Sequence, residues 1–291
     1  MKPSSISHAA LAAVALAAAS PANAQDAVRL QPVTSWSLDY AQDSCRLIRT
    51  FGTGNQQVTL GLTAYAPGGM FFLSAAGELT RVTRRAENVT VALDAVESFD
   101  ARYLQVDFDG TPGLLVTNAI TMGRPPEGVM QAMRDGRPIE SFSDPAVEAQ
   151  VQSIGIVDGL EHEFIAETGS MQAPMAALME CTRELVTHWD IDQAANAALT
   201  RTARPATIPW RWLEMRDLPR SMRQPMIVNY RLIVDRQGRV ADCHIAGTDE
   251  SSEFAAIACA RLAENASFLP AEGPDGTPVQ SYFVSWINLV D

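Results

Sequence analysis

The chain has 291 residues, of which 47% are hydrophobic and 19% charged. That length exceeds the common one-domain range, and the composition is able to bury a core in each of two domains. A formal net charge of −12 excludes non-specific electrostatic attraction to nucleic acid or to anionic lipid as the main mode of action.

Residues 1–24 have the make-up of a cleavable secretory signal peptide. Lys2 supplies the positive start, residues 9–19 (AALAAVALAAA) form an apolar stretch, and Ala22-Asn23-Ala24 fits a small-x-small cleavage site. Spanning a bilayer takes about 20 apolar residues, and Ser20-Pro21 interrupts this run too early. The expectation is an exported, periplasmic protein with no stable membrane insertion after cleavage.

Residues 25–33 read as a short extended lead-in. The region 25–200 then alternates strand-like runs with turn clusters, which predicts a β-rich domain. Within 57–65, Val58, Leu60 and Leu62 share one face at period two. Further strands are expected at 70–73, 88–93, 102–108, 114–120 and 154–164, with a turn at 109–113. Helices are expected at 126–136 and at 174–189. In the second, Met175, Leu178, Met179, Leu185, Val186 and Trp189 recur every three or four residues. Residues 192–201 read as an extension of it. Residues 201–224 carry Pro205, Pro209 and Pro219 among several arginines, with Trp210 and Trp212, and read as a linker docked onto one domain. Arg204, Arg211, Arg216, Arg220 and Arg223 make it locally positive.

The last domain, 225–291, has the order ββαβ, so the fold class expected for the whole chain is α+β. Residues 227–235 (IVNYRLIVD) and 239–245 read as strands about a tight turn. An Ala-rich helix over 252–265 follows, and a last strand occupies 279–289. Val228, Tyr230, Leu232 and Val234 share one strand face, for Ile257, Cys259, Leu262 and Ala263 of the helix to cover.

In an exported chain the four cysteines, Cys45, Cys181, Cys243 and Cys259, are expected to form disulfides, and three pairings are possible. Cys243 lies on the second strand of the last unit and Cys259 on the helix over it, which favours that pair. Cys45 and Cys181 would then close the N-terminal region.

Signals for catalysis are few. His162, His188 and His244 lack the setting of a nucleophilic triad, and no G-x-S-x-G, Walker A or G-x-G-x-x-G pattern occurs. No C-x-x-C or H-x-x-x-H spacing suggests a metal. Neither cofactor nor metal is expected.

Three patterns in the last unit occur in a telling order. Asp235-Arg236-Gln237-Gly238-Arg239-Val240 is a D-x-x-G-x-V turn, Phe268-Leu269-Pro270 an aromatic-x-Pro after the helix, and Gly276-Thr277-Pro278-Val279 a G-x-P-V entry to the last strand. Together they resemble the C-terminal domain of the TonB family, over residues 226–289. The resemblance implies a small antiparallel sheet with a helix across one face. It also implies binding by strand addition, in which an extended peptide of an outer-membrane receptor pairs with the last strand. The residues it singles out are Tyr282, Phe283, Val284, Ser285 and Trp286, unless that edge is covered by the Trp210-Trp212 segment. A proton-driven transducer of this family would need an uncleaved inner-membrane helix and a long Pro-rich spacer, where this chain has a cleavable leader and a folded region. The expected function is therefore non-catalytic binding of an envelope protein or peptide. The alternatives are an accessory role in TonB-dependent transport, or a hydrolase with its site in the N-terminal domain.

Overall fold

A computed structural model describes residues 27–125, 127–139, 141–247 and 252–289. The expected signal peptide lies outside the described residues. Among them, no helix is long and apolar enough to cross a membrane. The chain has mixed α+β structure.

Eleven strands come first: β1 (Val28–Leu30), β2 (Ser37–Tyr40), β3 (Cys45–Phe51), β4 (Val58–Ala64), β5 (Phe72–Ala76), β6 (Val89–Leu93), β7 (Phe99–Ala101), β8 (Tyr103–Phe108), β9 (Thr111–Val116), β10 (Ser153–Asp158) and β11 (Phe164–Glu167). They form a six-stranded sheet, β2-β3-β4-β5-β9-β8, and a five-stranded sheet, β1-β11-β10-β6-β7. Both sheets give buried side chains to one core, including Leu47, Leu60 and Leu62 from the first and Val91, Ile156 and Phe164 from the second. The period-two pattern of 57–65 is the cause in β4, since Val58, Leu60 and Leu62 are all buried.

Three local expectations change. Residues 25–33 hold a true strand, because β1 pairs in parallel with β11. The turn at 109–113 shrinks to Asp109-Gly110, both at positive φ (53° and 85°), so β9 starts at Thr111. Two positive φ values in a two-residue loop match the twist of the flanking strands. The single strand expected over 154–164 is two strands, β10 and β11, turned about Gly159 at φ 93°.

Helices α1 (Val129–Asp135) and α2 (Pro145–Gln150) lie between β9 and β10, and α3 (Gln172–Thr187) and α4 (Gln193–Ala197) follow β11. The stripe of α3 buries Met175, Leu178, Cys181, Leu185 and Val186. Cys181 reaches Cys45 on β3 and is bonded to it, with Cα atoms 6.1 Å apart. Helix α4 does not continue α3: Asp192 caps a new helix, accepting the Ala195 N–H at 2.9 Å. On α2 the Glu148 side chain is 2% exposed, and its Oε1 has no hydrogen-bond partner among the described residues. Burial, partly offset by Ser143 and reinforced by Asp144, pushes its carboxyl above the ordinary range.

A folded state that holds this proton more tightly than the unfolded chain loses stability as pH rises above the ordinary glutamate value. Glu148→Gln is therefore expected to stabilise the protein at pH 8 by on the order of 1 kcal/mol, the scale of an unsatisfied buried acceptor. Its advantage should shrink at pH 4. Thermal unfolding of both proteins at the two pH values checks this, and an equal difference at both would refute it.

The remaining elements are β12 (Arg204–Pro205), β13 (Met226–Val234), β14 (Val240–Ile245), α5 (Glu253–Asn265), β15 (Phe268–Leu269), β16 (Ala271–Glu272), β17 (Pro278–Val279) and β18 (Ser281–Leu289). They surround a second core. The sheet order β14-β13-β18 is antiparallel throughout, with the last strand beside the first. Ser252 caps α5 by accepting the Ala255 N–H at 3.1 Å. The helix buries Ala255, Ala258 and Leu262, with Ile257 and Cys259 partly buried against the same core. Ala263, expected on that face, is exposed: it follows Leu262 directly, about 100° further round the helix. Cys243 on β14 is bonded to Cys259 on α5, with Cα atoms 5.6 Å apart.

The turn after β13 shows why its pattern takes the form it does. Asp235 Oδ1 accepts the Gln237 and Arg239 N–H groups, each at 2.8 Å. Gly238 has φ 76°, and a Cβ there would fall 2.1 Å from the Phe268 carbonyl oxygen. The Phe268 N–H in turn donates to the Gly238 carbonyl at 2.9 Å. Two of the three family-like patterns thus touch one another.

Residues 201–224 are more than a linker. Ala203, Trp212, Leu213 and Leu218 are buried members of the second core, and β12 pairs with β15. Trp210 and Trp212 part company: Trp212 is 1% exposed and Trp210 is 70% exposed. The shared docking expected of the pair holds for Trp212 alone. The 3₁₀ turn Pro209–Arg211 places Trp210 outside while Trp212 enters the core.

Candidate functional site

The candidate site is β18, an edge strand of nine residues whose only strand partner among the described residues is β13. Which of its main-chain groups are available follows from the ladder. Asn229 of β13 accepts the Ala246 N–H at 2.9 Å, and the Asp235 N–H donates to the Arg239 carbonyl at 2.8 Å. Odd-numbered residues of β13 therefore direct their main-chain groups to the β14 side, and even-numbered ones to β18. In register, Val228 faces Ile287, Tyr230 faces Ser285, Leu232 faces Phe283 and Val234 faces Ser281. Those odd-numbered residues of β18 are bonded inward. The N–H and C=O groups of Tyr282, Val284, Trp286 and Asn288 point away from β13, where no described strand meets them.

The side chains of β18 have a separate fate. On one face, Phe283 lies 5.2 Å from the Phe268 ring and 5.9 Å from the Trp212 ring, centroid to centroid. Ser285, on the same face, is half-buried opposite Tyr230. On the other face, β18 meets elements of the first half of the chain. The Tyr282 ring is 4.8 Å from Trp189, and Val284 packs on a small cluster of Leu185, Val186, Trp189 and Ile233. Trp286 sits edge-on to Phe72 at 5.4 Å. Asn288 Nδ2 reaches Asn118 Oδ1 at 3.4 Å.

The five residues singled out from the sequence thus lie together on one strand, with their side chains engaged within the chain. What the strand offers outward is main chain. The segment containing Trp210 and Trp212 packs beside β18 through its Pro209–Arg211 turn but does not pair with it.

Close to β18 lies a charged cluster that sequence reasoning did not assemble. The Arg231 guanidinium stands over the Trp189 ring at 4.8 Å, a contact worth about 0.5–2 kcal/mol. His244, 6% exposed, lies with Nε2 3.0 Å from Asp43 Oδ1. Asp43 Oδ2 accepts the Gly247 N–H at 2.8 Å. Burial pushes the hydroxyls of Tyr65, Tyr230 and Tyr282 above the ordinary tyrosine range, Tyr230 the most. The cavity among these groups is about 10 Å³, too small to admit a substrate, and no serine or cysteine is among the residues lining it. The arrangement joins the two halves of the chain. Asp43 is some 200 residues from His244 in sequence, so no spacing could announce the pair. Trp189, by contrast, was visible as the last member of the α3 stripe.

His188 ends α3, and His162 lies in the turn between β10 and β11 together with Glu161 and Glu163. Compared with known proteins, the chain matches no family model, no curated protein and no solved structure.

Proposed function

We propose that this chain is a non-catalytic binding module of the cell envelope that takes up an extended protein segment along the outer edge of β18. The reading keeps a signal peptide over 1–24, a β-rich domain over 25–200 and a TonB-like domain over 225–291. The former linker becomes part of the second core. One observation carries it: Tyr282, Val284, Trp286 and Asn288 turn their main-chain donors and acceptors outward along a strand whose side chains are already held. A rigid strand with both faces packed presents these groups without further ordering cost, and main-chain bonds then supply affinity. Two disulfides accord with an oxidising compartment such as the periplasm. The partner is an envelope protein, with the extended segment of an outer-membrane receptor as the candidate suggested by the family resemblance.

Val284→Pro tests the edge directly. Proline removes an outward N–H and leaves the inward bonds of Phe283 and Ser285 in place. For peptides selected from a random display library against the wild-type protein, affinity is expected to fall at least tenfold, with the circular dichroism spectrum kept. Unchanged binding would show that the peptides dock elsewhere.

A further inference from the structure

The strap that borders β18 has a chemistry unlike the rest of the chain. Between 201 and 225 there are six arginines and two acids, which leaves 16 basic residues against 32 acids elsewhere. Both acids of the strap are engaged: Glu214 pairs with Arg216 at 2.9 Å, and Asp217 lies 3.9 Å from Arg261. Arg211 and Arg220 are exposed and form no ion pair with a described residue. Next to Arg211 in sequence is an apolar feature, since Ile208 is 43% and Trp210 70% exposed. Exposed tryptophan is costly to solvate and is favoured where a partner covers it.

The strap is fixed relative to the strand. Trp212 is wedged against Phe283 and Phe268, and its Nε1 donates to Thr207 Oγ1 at 2.7 Å. This holds the Pro209–Arg211 turn beside β18. At the other end, Met222 and Met226 pack on the second core, and Met226 is in register with Leu289, the last residue of β18. The strap thus passes from the Pro209–Arg211 turn beside β18 to the start of β13 opposite Leu289.

We infer that this strap selects the peptide: it favours an extended segment bearing acidic residues and one large apolar side chain, which covers Trp210 while the acids face Arg211 and Arg220. The inference rests on the reading of β18 as the binding edge. The occupant is a protein segment, because the flat aromatic lies beside a free main-chain ladder that only another backbone can complete. The net negative charge of the chain strengthens the selection, since it disfavours the approach of acidic segments elsewhere on average.

The test uses the chain without its leader and six ten-residue peptides of alternating threonine and valine. These carry three aspartates, no charge or three lysines, each with and without one central phenylalanine. The acidic, phenylalanine-bearing peptide is expected to bind at least tenfold more tightly than the basic one, quench tryptophan fluorescence and weaken with salt. Arg211→Gln/Arg220→Gln should abolish the charge preference, and Trp210→Ala the phenylalanine preference and the quenching. Val284→Pro should abolish all binding. If Val284→Pro abolishes binding but charge and phenylalanine make no difference, the edge stands and the inference falls. If the acidic peptide binds Val284→Pro as well as wild type, the edge reading fails and the inference with it. Arginine-dependent capture by vesicles of phosphatidylglycerol and phosphatidylcholine, with no peptide binding, would make the strap a lipid site and overturn both.

Discussion

Cys45→Ala/Cys181→Ala is expected to destabilise the protein by about 5 kcal/mol. The bridge spans 136 positions, against 16 for Cys243–Cys259, for which the same chain-entropy argument gives about 3 kcal/mol. It also joins two elements that carry the first core, β3 and α3, at residues that are each buried. Without it, α3 is held by its apolar stripe alone. Since α3 also supplies Leu185, Val186 and Trp189 to the contact with β18, its loosening should reach the second half. Urea unfolding of the double variant, compared with the double variant of the Cys243–Cys259 pair, checks the ranking. A loss smaller than that of the shorter bridge would refute it.

Trp212→Ala is expected to cost about 3–5 kcal/mol, as for large aromatic side chains removed from cores. Trp210→Ala, two residues away, should stay within about 0.5 kcal/mol. The contrast follows from placement. The Trp212 ring meets Phe268, Phe283 and Tyr230 at 5.3, 5.9 and 6.5 Å, and its carbonyl accepts the Asn265 side-chain amide at 2.9 Å. Its loss opens a void under β18 and releases the strap. Chemical denaturation of the two single variants distinguishes a core segment from a linker: if both tryptophans prove dispensable for stability, the strap is not part of the second core. Because Trp210→Ala leaves the fold intact, its effect on peptide selection can be read without a stability correction.

Much of this architecture was legible before any coordinates. Alternation in 57–65 predicted β4, the three-and-four spacing of Met175 to Val186 predicted α3, and IVNYRLIVD predicted β13, because each pattern records burial on one side of a regular element. The turn at Asp235–Gly238 was legible for another reason: positive φ and side-chain-to-amide bonds are local demands. The strap was misread because prolines and arginines mark an irregular path over the surface, while its buried members, Ala203, Trp212, Leu213 and Leu218, follow no period. Residues 154–164 were misread because apolar residues at both ends, Ile154 to Val157 and Leu160 to Phe164, look like one segment until the chain turns back at Gly159.

The candidate site divides along the same line. The sequence by itself determined that a strand with alternating faces ends the chain, expected over 279–289 and found over Ser281–Leu289, since side-chain alternation is an intrinsic property of extended backbone. It also determined that the four cysteines could pair as they do. Only the tertiary structure decided that β18 lies at an edge, that Tyr282, Val284 and Trp286 are covered by Trp189 and Phe72, and that the same residues turn their amides outward. A strand's face is written in its own residues. Its free edge depends on which neighbour it pairs with and in which hydrogen-bonding phase, and that is settled by β13 and β14, which lie well upstream in the chain.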